Sequence, residues 1–161
     1  MEIYKVYNVI CCRLNLVGKY IVDLKSYNLE DQIGYLLRKA YQRHLVIFQQ
    51  HIGDSQLTAV QFSVLYTVNL FEKCSQKELV EHTAIDQATI RGIVERLIKR
   101  DLLSQYQDQQ DKRKVKISIT NEGRKVLADT LENAKSISEK TLEPLNPAEA
   151  LALLHTLKKI T

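Results

Sequence analysis

The stretch Ser75–Thr120 reads SQKELVEHTAIDQATIRGIVERLIKRDLLSQYQDQQDKRKVKISIT and carries the clearest structural pattern in the chain. Ser75 and Glu78 have the spacing of a capping box, in which each side chain accepts a hydrogen bond from the other residue's backbone amide. Asp86 is a good N-cap for a second helix. Apolar residues then recur on one face at helical spacing, at Ile90, Val94, Leu97 and Ile98. The stretch therefore predicts two helices joined by a tight turn.

The opposite face of the second predicted helix is small and basic. Ala88 and Gly92 leave a gap on this face, and Arg91 and Arg96 flank the gap. Such a gap lets a helix approach a duplex groove, where guanidinium groups can hydrogen-bond to bases. An ordinary solvated helix has the same composition, so the helix alone leaves both interpretations open.

A basic hairpin, called the wing below, follows the second helix. Val115, Ile117 and Ile119 alternate with polar residues and are expected to face the core. Lys114 and Lys116 should then point outward. With Lys112 and Arg113 they would place four cations together, which a phosphate backbone would stabilise, and Arg113 is long enough to enter a minor groove. The residues expected to contact duplex DNA are Gln87, Ala88, Thr89, Arg91, Gly92, Arg96, Lys112, Arg113, Lys114 and Lys116.

The residues from Leu57 to Gly123 resemble the DNA-binding core of the MarR family (multiple antibiotic resistance regulators). Leu57–Phe62 resembles the opening of the helix before the helix-turn-helix, with Thr58 as its cap. Asp111–Arg113 followed by Ile119–Gly123 resembles the family's wing signature. Asp101 stands where the family usually has Gly in a left-handed conformation, which Asp tolerates better than most residues. The resemblance implies a mainly α protein with a small β wing.

The remaining chain predicts how this unit is assembled. We divide the 161 residues into an N-terminal extension (1–25), a first dimerisation helix (26–56), the DNA-binding lobe (57–120) and C-terminal dimerisation helices (121–161). The outer helices carry more apolar surface than one lobe can cover, so we expect a homodimer, whose two-fold symmetry suits a duplex. No uncharged run of membrane-spanning length and no signal peptide is visible, so we expect a cytoplasmic protein that binds no membrane.

The sequence lacks the usual motifs of catalysis and metal binding. It has no glycine-rich phosphate loop, no nucleophile elbow and no carboxylate pair with a positioned histidine. Cys11, Cys12 and Cys74 form no Cys-x-x-Cys pair and no Cys/His ligand spacing. We therefore expect no enzyme, no cofactor and no metal.

The first long helix carries polar groups among apolar residues. Arg38 has two interpretations: it forms a structural ion pair, or it anchors a ligand carboxylate by bidentate hydrogen bonds. The second follows from the family resemblance, because MarR-type regulators commonly bind small aromatic acids between the dimer helices and the DNA-binding lobe. This helix resembles the branch that governs aromatic-acid catabolism, which implies a phenolic effector, hydroxycinnamates first and benzoates second. The residues expected to bind it are Ser26, Tyr27, Tyr35, Arg38, His44 and Tyr66.

The function expected from these patterns is that of a repressor of aromatic-acid catabolic genes, released by the effector. Two alternatives stay open. A winged-helix domain can serve as a protein-interaction module that reads no DNA, because fold alone does not fix function. A regulator of this type could also sense oxidants through Cys74, for which a small buried residue is the simpler interpretation.

Overall fold

Six α-helices and one β-hairpin make up the computed structural model, which describes residues 27–108, 111 and 114–161. A short 3-10 helix at Leu29–Asp31 precedes them. The helices are α1 (Ile33–His51), α2 (Ala59–Phe71), α3 (Gln76–Thr83), α4 (Gln87–Lys99), α5 (Asn121–Leu142) and α6 (Pro147–Ile160), and the strands are β1 (Leu103–Gln107) and β2 (Val115–Ile119). This order confirms the predicted winged helix-turn-helix, α3–α4 followed by β1–β2, between outer helical segments.

The helix starts follow the local capping chemistry that the sequence predicts. Both hydrogen bonds of the capping box are present at Ser75 and Glu78, where α3 begins. The Asp86 side chain accepts a hydrogen bond of 2.9 Å from the Thr89 backbone amide and caps α4. Thr58 caps α2 in the same reciprocal way. Each cap satisfies amides that have no partner inside the helix, which is why the boundaries fall at these residues.

The wing is an antiparallel pair in which Leu103 lies opposite Ile119 and Gln107 opposite Val115. Cys74 adds a short third segment, because its backbone amide and carbonyl both bond to Ile117. Ile117 and Ile119 are buried as predicted, whereas Val115 is 38% exposed. Val115 pairs at the end of the hairpin remote from the core, which explains why it is not covered.

The core lies where α2, α3, α4 and the wing meet. On α4 the buried face consists of Ile90, Ile93, Val94 and Leu97, which confirms the predicted apolar face. Phe48 and Ile52 of α1 and Leu127 and Ile137 of α5 belong to the same core. The helices α1 and α5 therefore pack directly on the core of the lobe. The domain boundaries at 26–56, 57–120 and 121–161 stay predictions. Residues 1–25 lie outside the described residues.

The entry into α5 depends on a close backbone approach. Thr120 caps the helix by accepting a hydrogen bond of 2.9 Å from the Gly123 amide. A Cβ atom on Gly123 would lie 2.1 Å from the Leu102 carbonyl oxygen. Only Gly fits at this position, which gives a physical reason for the Thr-x-x-Gly pattern after the wing.

The outer faces of α1 and α6 are apolar and exposed. On α6 no residue is buried, and Leu151 is 71% exposed. On α1, Ile33 and Leu36 are 65% and 48% exposed. A single chain therefore leaves large apolar side chains of two helices in water, which is unusual for a stable monomer. No helix in the described part of the chain is both long and apolar enough to cross a membrane.

Candidate nucleic-acid interface and small-molecule cavities

The small and basic face of α4 is exposed along its length. Gln87, Ala88 and Thr89 are exposed in its first turn, and Arg91 and Arg96 are exposed further along. The Thr89 hydrogen bonds lower the pKa of Asp86 and keep the capping carboxylate ionised at neutral pH. The Asp86 cap therefore fixes the start of α4, while the outer face of the helix is exposed to solvent.

The two arginines of this face have different surroundings. Arg91 Nε lies 3.1 Å from Glu95 Oε1, an exposed ion pair one turn apart. The Arg96 guanidinium lies back over Gly92, 3.8 Å from the position that a Cβ atom on Gly92 would take. A Cβ at this position would be in ordinary van der Waals contact with the guanidinium. Ala88 and Gly92 keep this face thin, as a groove-binding helix requires.

The wing cations are also unequal. Lys114 is exposed and forms an ion pair of 3.5 Å with Asp111. Lys116 was expected to point outward, but its side chain is only 21% exposed and its Nζ lies 3.1 Å from Glu78 Oε2. Lys116 folds against α3 because Glu78 offers a carboxylate already fixed by the capping box. Lys112 and Arg113 lie outside the described residues.

An aromatic row crosses from α1 to α2. Ring centroids are separated by 6.3 Å between Tyr41 and His44, 6.2 Å between His44 and Phe48, and 5.9 Å between Phe48 and Phe62. Tyr66 extends the row with a centroid distance of 6.3 Å to Phe62. The rings are stacked at the two ends of the row and tilted or edge-on around Phe48, and together they form an aromatic wall against which another aromatic ring can pack.

This wall borders a cavity of about 220 Å³ between α1, α2 and α5. His44 lines the cavity, and its Nδ1 is 3.0 Å from Thr141 Oγ1 on α5. Burial lowers the pKa of His44, so the ring is neutral at pH 7 and can donate or accept a hydrogen bond. The lining residues are Tyr41, His44, Phe48, Ala59, Phe62, Ser63, Ala134, Ile137 and Ser138.

A second, wider cavity of about 530 Å³ adjoins the first. The two cavities share Tyr41, Phe48 and Ala59. The wider one runs toward α4 and reaches Arg96. Its lining residues are Tyr41, Leu45, Phe48, Gln49, Thr58, Ala59, Val60, Gln61 and Arg96.

The structure brings only part of the predicted ligand set together. His44 lines the smaller cavity, whereas Tyr66 stacks on Phe62, which lines that cavity, and does not line it itself. Arg38 instead lies over the Tyr35 ring, 5.4 Å from its centroid, outside both cavities. Tyr27 is 59% exposed. Ser26 is not among the described residues.

The sequence reasoning missed the α5 side of the cavity and the aromatic partners on α2. In the sequence, Phe62 stands out only as part of the Leu57–Phe62 helix opening. Ser138 and Thr141 gave no signal, because His44 and Thr141 are 97 residues apart and their contact depends on how α1 packs on α5. The facing aromatic residues Phe48 and Phe62 could have been noticed as a pair on consecutive helices.

Cys74 is a buried structural residue in this fold. Its relative exposure is 1%, and its backbone is part of the wing sheet. Burial is the main cause that raises the pKa of the thiol, which disfavours the reactive thiolate. Peroxide sensing through Cys74 is thereby disfavoured. In the described ranges, no three His, Cys, Asp or Glu residues cluster as metal ligands.

The chain is similar to known regulators. Residues 57–115 match the sequence model of the MarR family. The transcriptional repressor NicR of Pseudomonas putida is 45% identical over 139 residues, which cover 86% of this chain and 88% of NicR. The structure of Bordetella bronchiseptica BpsR, whose DNA binding is regulated by 6-hydroxynicotinic acid, is 46% identical with a TM-score of 0.78, over 83% of this chain and 96% of BpsR.

A more distant structure, a mutant of Escherichia coli MarR in complex with operator DNA, shares the fold. It is 20% identical with a TM-score of 0.75, over 83% of this chain and 99% of that one. The identity to NicR and BpsR, over most of each protein, establishes the family. The chain is a DNA-binding transcriptional regulator of the MarR family and not an enzyme.

Proposed function

We propose that the protein is a cytoplasmic, homodimeric repressor of genes for aromatic-acid catabolism, which leaves its operator when a hydroxylated aromatic carboxylic acid binds. The observation that carries the proposal is the aromatic-walled cavity of about 220 Å³ between α1, α2 and α5. It lies where the outer helices meet the DNA-binding lobe. A ligand there can change the position of the lobe relative to the outer helices.

The chemistry of the cavity fits a single aromatic ring with polar substituents. Phe48 and Phe62 provide apolar ring faces, while neutral His44 and the hydroxyl groups of Ser63 and Ser138 can hydrogen-bond to a ring hydroxyl or ring nitrogen. Pockets of a few hundred Å³ are typical for such small ligands. This favours an acid whose carboxylate is bonded directly to the ring over a hydroxycinnamate, whose single ring carries a longer side chain.

The similarity to BpsR also favours a compact aromatic acid as the effector. BpsR responds to 6-hydroxynicotinic acid and is 46% identical to this chain. A hydroxylated pyridine carboxylic acid therefore comes before hydroxycinnamates and benzoates as the candidate effector. It stays within the class of aromatic acids that the first helix predicts.

The operator would be read by α4 in the major groove and by the wing beside it. Exposed Gln87, Thr89 and Arg91 supply base or phosphate contacts, and Ala88 and Gly92 allow the close approach. From the wing, exposed Lys114 and the predicted contacts of Lys112 and Arg113 add positive charge toward the phosphates, whereas Lys116 is paired with Glu78. The exposed apolar faces of α1 and α6 would form the dimer, which sets the two α4 helices about one helical turn of DNA, roughly 34 Å, apart.

The test is an operator titration with a panel of ligands. A labelled fragment of the intergenic DNA beside the gene is titrated with protein, alone and with 6-hydroxynicotinic acid, 4-hydroxybenzoate or 4-hydroxycinnamate. We expect the pyridine acid to weaken DNA binding by roughly 5–150-fold, the usual range of allosteric coupling. Equal affinity with and without every acid would overturn the proposal.

A variant that fills the smaller cavity tests whether the acid binds there. Ser138→Leu should fill the cavity from α5 and abolish the response to the acid while DNA binding persists, because Ser138 is remote from α4 and the wing. Glu139→Leu is the matched control, since Glu139 is the next residue, is exposed and does not line the cavity. A full response in Ser138→Leu would place the effector elsewhere.

A further inference from the structure

Two glutamine side chains join the starts of α3 and α4. Gln87 Nε2 donates a hydrogen bond of 3.1 Å to Gln76 Oε1. Gln76 is the first residue of α3 and is partly buried, whereas Gln87 is the first residue of α4 and is exposed. The pair therefore connects the two helices of the helix-turn-helix at their N-terminal ends.

The backbone that carries each glutamine is fixed by a helix cap. Ser75, which precedes Gln76, belongs to the capping box of α3. Asp86, which precedes Gln87, accepts a hydrogen bond of 2.9 Å from the Thr89 amide and caps α4. Because the caps restrict both backbones, the freedom left to the two amides is that of their own side chains, and the bond between them restricts this as well. Gln87 is therefore oriented before DNA binds.

Gln87 occupies a position from which a helix-turn-helix contacts bases. The N-terminal residues of the second helix in this motif reach base edges in the major groove. The next two residues, Ala88 and Thr89, are small and exposed, so they allow the start of α4 to approach the groove closely. The amide of Gln87 can therefore reach a base edge.

The bond to Gln76 determines which groups of the Gln87 amide are left for a base. A glutamine amide has two N–H donors and one carbonyl acceptor. Gln76 takes one N–H, so the second N–H and Oε1 remain as one donor beside one acceptor. Adenine presents the complementary N6 donor and N7 acceptor in the major groove, whereas guanine presents two acceptors, O6 and N7. Guanine O6 would therefore face the Gln87 carbonyl oxygen and repel it.

We propose that Gln87 reads an adenine in each half-site of the operator, and that Gln76 is the positioning residue that makes this contact selective. The inference rests on the operator binding of the proposed function and is independent of the effector. Turning the Gln87 amide would bring two carbonyl oxygens together unless Gln76 turned as well. A partner at position 76 that can only accept should therefore sharpen the selectivity.

A purely structural role of the pair leads to a different expectation. An exposed hydrogen bond between two long side chains contributes little to stability, because ordering the side chains costs entropy. Its loss would leave the base preferences of the protein unchanged. Base preference is therefore the quantity to measure.

The experiment is a selection from duplexes with a randomised central segment, using the full chain without effector. The bound duplexes are sequenced, and the preferred duplex is titrated beside versions in which single base pairs are replaced. We expect one position in each half-site at which the wild type prefers adenine by roughly 5–150-fold, the usual range for a bidentate base contact. In Gln87→Ala this preference should disappear at that position alone. In Gln87→Glu it should change to cytosine, because a carboxylate accepts from cytosine N4.

Substitutions of Gln76 test the positioning. Gln76→Met keeps the length of the side chain without its hydrogen bonds, so the ratio of the affinities for adenine and guanine should fall toward one. Gln76→Glu can only accept, so it should keep or sharpen the preference for adenine, although its charge lowers the affinity for every sequence. Lys77→Met is the matched control, because Lys77 is the next residue and its side chain is 85% exposed. It should leave every base preference unchanged.

The outcomes separate the claims, and thermal unfolding of each variant verifies that the fold is intact. If the wild type selects a sequence and both Gln87 variants keep every base preference, the reading by Gln87 is overturned while operator binding stands. If the Gln87 variants change the adenine position but Gln76→Met keeps full discrimination against guanine, the positioning role of Gln76 is overturned. If the wild type selects no sequence, the operator binding of the proposed function fails and this inference fails with it.

Discussion

At the scale of single residues, three residues other than glycine have a positive φ in the part of the chain that the structure describes. The φ angles are 59° at Glu72, 54° at Ala84 and 57° at Asp101. The positive φ of Asp101 confirms the left-handed residue that the family resemblance predicted at the end of α4. A residue in this conformation lowers the stability of the fold because its Cβ crowds the backbone, and Asp lowers it less than most residues do.

We predict that Asp101→Gly raises the free energy of unfolding by up to about 1 kcal/mol, and that Asp101→Ala lowers it by a similar amount. Gly removes the crowding, whereas Ala keeps it without a short polar side chain that can hydrogen-bond locally. Urea denaturation of the three proteins measures the difference. An alanine variant more stable than the glycine variant would contradict the left-handed assignment.

At the scale of elements, α3 and the wing are joined through one carboxylate. Glu78 accepts hydrogen bonds from the Ser75 amide at 2.6 Å, from the Ser75 hydroxyl at 2.7 Å and from Lys116 Nζ at 3.1 Å. The Ser75 bonds, followed by Lys116, lower the pKa of Glu78 from 4.5 to about 2. The ionised carboxylate is therefore part of the link between the helix-turn-helix and the hairpin.

This link predicts a pH dependence of stability. Because folding depresses the pKa, ionised Glu78 stabilises the fold fully above pH 4.5, and its contribution falls as the pH drops through about 2. We expect Glu78→Gln to be about 1 kcal/mol less stable at pH 7, a modest loss because the carboxylate is partly solvated. Chemical denaturation between pH 7 and pH 3 should show the difference shrinking.

Glu81→Gln provides the control, because among the described residues Glu81 makes only an exposed contact of 3.8 Å with Lys77. Its stability difference should be small at every pH. If the Glu78→Gln deficit were the same at pH 3 and pH 7, the carboxylate would not be ionised in the way the hydrogen bonds require.

The caps show which parts of the fold can be predicted from sequence. Ser75, Asp86 and Thr58 act on amides only two or three residues away, so neighbouring residues determine each helix start. The orientation of Lys116 could not be predicted, because Glu78 is 38 residues away and meets it only when the wing packs on α3. For the same reason the sequence could not predict that Arg96 lines a cavity, because that cavity forms only when α1 packs beside α4 and α2.

At the scale of the whole molecule, α6 contributes no buried residue to the single chain. Leu151, Leu154 and Ile160 of this helix are exposed, as are Ile33 and Leu36 of α1. Apolar helices that contact little of their own chain are stabilised by a second copy. The sequence predicted the need for a partner from the excess of apolar residues, whereas the packing of α1 on α5 needed the structure.

We predict that Leu151→Glu combined with Leu154→Glu converts the dimer into a folded monomer with much weaker operator binding. The substitutions place charges in the interface and touch no core residue, so each lobe should stay intact. Sedimentation at micromolar concentration and circular dichroism measure assembly and fold. Thr156→Glu, on the same exposed helix but outside the apolar set, is the control. An unchanged dimer in the double variant would place the interface elsewhere.

Operator DNA and the aromatic acid are proposed to bind the same protein, each lowering its affinity for the other. Linkage requires that each ligand weakens the other by the same factor. The deciding quantity is the dissociation constant of 6-hydroxynicotinic acid, determined by calorimetry on the free protein and on the protein saturated with operator DNA. We predict roughly 5–150-fold weaker binding to the complex, equal to the factor by which the acid weakens DNA binding. Equal affinity of the acid for the free and the DNA-bound protein would show that the two ligands are not coupled and would contradict the proposed release of the operator.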